Sequence, residues 1–191
     1  MNYRRKLRDE AAIAGFILLT AGAGLVAKPI AHEVIGRVSA AQAKGIWEKW
    51  KRAQPHVADS IQPGQPVFWL RIPSCKISTL ILAESDADAL HRYPAARQLP
   101  SGGTVLFAHR DLHFRGLARI KTGQRILLED AEGRTVVYSV RSIRILPPEE
   151  VSAAVADPEK GESLYLMTCF PFHYIGAAPK RFLVRAVKST D

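Results

Sequence analysis

Thr135-Val136-Val137-Tyr138-Ser139-Val140 places apolar side chains at every second position, and Phe182-Leu183-Val184-Arg185-Ala186-Val187 repeats that rhythm near the C-terminus. A period of two in β-branched and aromatic residues is that of a strand with one buried face. Working outward, further strand-length runs fall at Val67–Ile72, Ile77–Ala83, Thr104–Ala108, Arg125–Leu128, Arg134–Leu146, Leu164–Cys169 and Arg181–Val187, divided by Gly and Pro turns. Only brief helices fit between them, at Asp86–Tyr93, Gly116–Lys121 and Glu149–Ala156. Many short strands in about 130 residues predict a mainly β barrel or sandwich rather than an α/β layer fold. Neither a dinucleotide-binding nor a phosphate-loop glycine pattern is present in the sequence.

Upstream of these strands, Ala11–Ala27 is uncharged and follows the basic run Arg4-Arg5-Lys6-Leu7-Arg8. With Ile30 and Ala31 extending it past Lys28, the segment is long enough to span a bilayer as a helix. The preceding cations hold the N-terminus in the cytoplasm and send the rest across. The expected organisation is a cytoplasmic tail over residues 1–10, an uncleaved signal-anchor over 11–31, a helical stalk over 32–59 and an outward domain over 60–191. Cleavage after a small-residue site such as Ala21-Gly22-Ala23 is the competing reading. In the stalk, Val34, Ile35, Val38, Ile46, Trp47 and Trp50 recur at helical intervals. The two tryptophans suit either the membrane interface or a cover over the domain.

The formal charge of +9 invites a nucleic-acid partner. Beyond the N-terminal cluster, however, the cations are dispersed among apolar positions as on solvated strand faces, and no nucleic-acid partner is expected.

Two cysteines are present, too few for a disulfide scaffold. Cys75 sits in a short break between apolar runs and reads as a small core residue. Cys169 ends the run Leu164-Tyr165-Leu166-Met167-Thr168, just before Phe170-Pro171, where a side chain is expected to project toward a barrel mouth. A lone cysteine in such a strand is more often core than nucleophile. His109 alters that balance, because it too ends an apolar run and supplies an imidazole for thiolate pairing or proton shuttling. His109 and His113 have the spacing of two zinc ligands on a helix, but they follow a strand, enclose no glutamate and lack a nearby third ligand, so no metal is expected. Arg181 opens the last strand, where a planar guanidinium could serve an oxyanion or a substrate backbone.

Three segments then fall into a known order. Ser101-Gly102-Gly103-Thr104-Val105-Leu106-Phe107-Ala108-His109-Arg110-Asp111-Leu112-His113-Phe114 resembles the catalytic-histidine region of sortases. Tyr165-Leu166-Met167-Thr168-Cys169 is similar to their TLxTC signature, and Pro179-Lys180-Arg181-Phe182-Leu183-Val184-Arg185-Ala186 to their arginine strand. The likeness is best to the sortases of Gram-negative bacteria. Tyr165 replaces a threonine, Ala108 stands where glycine often precedes the histidine, and Gln124 follows Gly123 where aspartate is common.

This resemblance implies a closed eight-stranded sortase barrel on the outer face of the cell inner membrane, held by a single span. Its Cys169 would attack the Thr–Gly carbonyl of an LPxTG-like signal on a protein substrate, and an amine would complete the exchange. His109 would shuttle protons, Arg181 would stabilise the oxyanion or orient the peptide, and Thr168 would assist substrate binding. No cofactor is expected, and calcium dependence is not decided by the residues. Two other readings use the same residues differently: a hydrolytic cysteine peptidase, and an anchored binding module with a Cys75–Cys169 disulfide.

Overall fold

The computed structural model describes residues 41–53, 62–84, 87–156 and 163–189, with scattered positions between 22 and 39. The expected basic tail and nearly all of the expected span at 11–31 lie outside the described residues. Among the described residues no helix is long and apolar enough to cross a membrane. Residues 36–191 form one compact unit, to which everything below belongs.

Eight strands close into a barrel: β1 (Pro66–Ile72), β2 (Ile77–Ala83), β3 (Ala95–Gln98), β4 (Thr104–Phe107), β5 (Arg125–Glu129), β6 (Thr135–Leu146), β7 (Leu164–Phe170) and β8 (Lys180–Lys188). Around the wall the order is β1-β2-β3-β4-β7-β8-β6-β5. The sheet is mixed, because β2 pairs with β3 and β4 with β7 in parallel, while the other neighbours are antiparallel. Closure leaves no free sheet edge, which suits a chain of short strands. The β5–β6 hairpin shows how a local signal sets one such pairing. Asp130 accepts from the Arg134 N–H through Oδ1 at 2.9 Å, and Gly133 supplies the positive φ of 81° that the turn requires.

β3 is the strand that sequence periodicity does not reveal. Ala95-Ala96-Arg97-Gln98 has low strand propensity, yet it is held between β2 and β4, with Ala95 and Ala96 buried. The expected short helices appear as α2 (Ala87–Leu90), a 3-10 turn at Arg115–Arg119, and a 3-10 turn at Pro148–Glu150 leading into α3 (Val151–Val155).

The barrel interior is filled by Leu70, Ile72, Ile81, Leu106, Ile126, Leu164, Leu166 and Val184. Cys75, Phe114 and Leu117 join this core from the connections. There the backbone packs closely enough that a Cβ on Gly116 would meet the Cys75 carbonyl oxygen at 2.3 Å. Arg119 donates to that same oxygen at 2.8 Å.

A second cluster lies outside the barrel. Helix α1 (residues 41–53) buries Ala43 and Trp47 against Trp69, Leu80 and Leu82 of β1 and β2. The Trp47 indole donates to Glu129 Oε1 at 3.2 Å, and Lys51 reaches the same oxygen at 2.8 Å. Of the two roles open to Trp47, the structure selects the cover over the domain.

Candidate active site

β4 and β7 run side by side in parallel, with Val105 opposite Tyr165 and Phe107 opposite Met167. The ladder is carried one step further by the Ala108 N–H, which donates to the Met167 carbonyl at 3.4 Å. The Thr168 hydroxyl then donates to the Ala108 carbonyl at 2.7 Å. His109 is therefore brought level with Cys169. On the other side β7 and β8 are antiparallel, and Cys169 lies directly opposite Arg181. Three adjacent chain segments, spaced at the usual ~4.8 Å between strands, thus present His109, Cys169 and Arg181 as one row with the thiol in the middle.

Strand alternation decides which side of the wall carries that row. Leu106 and Ala108, Leu164 and Leu166, and Phe182 and Val184 all point into the barrel core. Their alternates Val105, Phe107, Tyr165, Met167 and Leu183 form a separate cluster on the outer face. Cys169 and Arg181 share the parity of the outer set, and His109 follows core-facing Ala108. The expectation that Cys169 projects toward the barrel mouth is therefore corrected. By that alternation the thiol belongs to the outside of the wall.

An apolar cavity of about 340 Å³ opens along this outer face, lined by Val105, Phe107 and Met167 from the strands, Val151 and Val155 from α3, and Arg181 at the row itself. Arg181 Nη1 lies 3.1 Å from both the Ala178 and the Lys180 carbonyls. Those contacts anchor the guanidinium through one nitrogen of a five-donor fork, so it retains N–H donors for a substrate oxygen. Thr168 is buried on the opposite side of the strand from Cys169, with its hydroxyl bonded to the Ala108 carbonyl. What it supports directly is the backbone that carries His109.

Sequence reasoning did not find two further residues. The His91 ring stacks on His109, with centroids 4.7 Å apart and planes inclined by 19°. Arg110 donates to the Tyr174 and Gly176 carbonyls at 2.7 and 3.3 Å, tying the histidine loop to the β7–β8 loop. Both lie in connections, where no periodicity marks a side chain for notice. The second histidine of the spaced pair, His113, is largely buried beside Tyr93. Desolvation there, opposed by a bond to the Arg92 backbone and aided by His109, pushes its pKa down to about 4. Among the described residues no group of His, Cys, Asp and Glu could hold a metal ion.

The two thiols are both free, Cys169 partly exposed and Cys75 buried. Cys75 is buried in the core at the connection after β1, four strand steps from β7, whose alternation puts Cys169 on the outer face. The disulfide-locked binding module is overturned by that placement. Burial also raises the Cys75 thiol pKa against the opposing effects of Ser74 and Arg119, which disfavours its thiolate.

Known proteins resemble this chain in sequence and share its fold. The chain is 28% identical over 158 residues to Sortase D of Bacillus subtilis (strain 168), covering 78% of this chain and 77% of that protein. The Sortase D5 transpeptidase of Clostridium perfringens superposes with a TM-score of 0.61 at 15% identity, over 82% of this chain and 99% of the other. Clostridium perfringens sortase C, solved with the C-terminal cell wall sorting motif, superposes with a TM-score of 0.57 at 22% identity, over 76% of this chain and 86% of that one. A family model described as the sortase domain matches residues 70–189, which include every strand-borne residue of the row. With the barrel closed in this order and the domain match spanning more than half its length, the chain belongs to the sortase family of cysteine transpeptidases.

Proposed function

We propose that this protein cleaves an LPxTG-like sorting signal between Thr and Gly and transfers the acyl group to an amine. The observation that supports the reading is the register of the row: a partly exposed cysteine directly opposite Arg181 and level with His109, with Arg181 also lining an apolar cavity. Cys169, as thiolate, attacks the Thr carbonyl carbon, and the oxyanion that forms accepts hydrogen bonds from Arg181. Collapse breaks the C–N bond and leaves an acyl thioester, while His109 donates its proton to the departing Gly amine. The incoming amine then attacks the thioester, gives a proton to His109, and displaces Cys169 as thiolate. No cofactor takes part in this scheme.

The apolar lining suits the leucine and proline of such a signal, and the sorting motif bound by the clostridial sortase C named above supports a peptide of this class. Thr168 acts through the backbone, keeping His109 level with Cys169. The apolar run at 11–31 anchors the enzyme in the cell inner membrane by a single span with the barrel on the periplasmic side, where a tethered substrate meets it at raised effective concentration. The Gram-negative sub-class is part of the same proposal and rests on the three motif segments.

Purified protein incubated with a labelled LPxTG peptide and a small amine is expected to yield the peptide–amine adduct, and Cys169→Ala none. Release of hydrolysed peptide with no adduct would instead identify a hydrolytic peptidase. Mass spectrometry should find the thioester on Cys169. Labelling that persists in Cys169→Ala and disappears in Cys75→Ala would overturn the assignment of the nucleophile.

A further inference from the structure

His91 lies in the turn after α2, on the connection between β2 and β3, and has no part in the reaction as written above. Its ring nevertheless covers one face of His109, nearly parallel and 4.7 Å away between centroids. A face contact fixes the plane of an imidazole and in itself occupies neither ring nitrogen. The face of a neutral aromatic ring also attracts a cation, which favours the imidazolium form of the ring stacked on it. Once both rings are charged, the same closeness becomes repulsive.

We propose that His91 is a positioning residue for His109: neutral, it holds the imidazole and favours its protonated form; protonated, it opposes that form and weakens the thiolate pair. This rests on His109 being the partner of Cys169 in the proposed reaction.

The other charged and titratable groups nearby leave this coupling intact. His113 is held neutral down to about pH 4 by its burial. Tyr93, whose pKa burial raises, is neutral as well. Arg110 is engaged by the Tyr174 and Gly176 carbonyls. Asp111 and Arg92 are exposed to screening solvent, and Arg181 stands on the far side of Cys169 in the row.

The test is the pH dependence of iodoacetamide alkylation at Cys169, read by peptide mapping on the purified full chain, with wild type, His91→Ala and His91→Phe compared. Alkylation reports the thiolate and requires no peptide substrate. Removing the ring face in His91→Ala should slow alkylation near pH 7.5 by about two- to fivefold, the scale expected of a partly exposed cation–aromatic contact. His91→Phe keeps a face that cannot take a proton, so it should match wild type near pH 7.5 and exceed it near pH 5.5. Three coincident profiles would overturn the proposal, as would a phenylalanine variant no faster than wild type at pH 5.5. If the alanine variant unfolds, the comparison at pH 5.5 decides alone. An amine adduct formed by wild type alongside coincident profiles would remove the role of His91 and leave transpeptidation standing. Separated profiles with no adduct would do the reverse.

Discussion

The row of three side chains depends on a residue outside it. The Thr168 hydroxyl, buried behind Cys169, bonds the Ala108 carbonyl at 2.7 Å and so ties the end of β4 to the end of β7. Thr168→Val keeps the shape and removes the donor. It is expected to cost about 1–3 kcal/mol in urea unfolding and to lower kcat with little change in KM, because the bond positions His109 and does not grip substrate. Thr168→Ser should recover most of both losses. A second residue-scale effect comes from His113. Its pKa of about 4 in the folded protein lies below the 6.5 of an ordinary imidazole. Between those values the unfolded chain holds a proton that the folded chain refuses, so stability falls as pH drops through the window. The loss reaches up to about 3 kcal/mol. Urea unfolding at pH 7 and pH 4.5 should show His113→Gln losing less stability on acidification than wild type.

Among the elements, α1 is the one whose role the sequence leaves open. Helical spacing of Trp47 and Trp50 identifies an amphipathic segment, but the same stripe would serve a bilayer surface or a protein surface. The structure supplies a partner: Trp69, Leu80 and Leu82 on the outside of β1 and β2 would face water without the helix. Glu129 completes the seam. Burial works to raise its pKa, and the bonds from Lys51 and Trp47 outweigh that effect, so the net shift is downward and the carboxylate stays charged. Trp47→Ala should therefore destabilise the barrel by about 3–5 kcal/mol, measured as a lowered thermal midpoint. A tryptophan serving only at the membrane would leave that midpoint unchanged. β3 makes the complementary point, since a run as bland as Ala95-Ala96-Arg97-Gln98 becomes a strand through its two neighbours and through small side chains that the packed wall admits.

At the scale of the whole molecule, barrel closure turns separate strand ends into a site. His109 and Cys169 are far apart in the chain, and the parallel pairing of β4 with β7 sets them level only because β5 and β6 are routed elsewhere in the wall. The same closure buries Cys75 in the core, apart from partly exposed Cys169. The sequence by itself determined seven of the eight strands, through period-two runs and Gly and Pro turns, and it singled out Cys169, His109 and Arg181 as candidates, through reactive side chains at the ends of apolar runs and three segments that resemble those of sortases. Such signals are local. Only the tertiary structure decided that the row lies on the outer face, that Trp47 is buried in the domain, that Thr168 looks inward and that His91 stacks on His109. Each of these depends on which distant segment is the neighbour, and that is set by pairing and packing across the closed barrel, which no window of sequence contains.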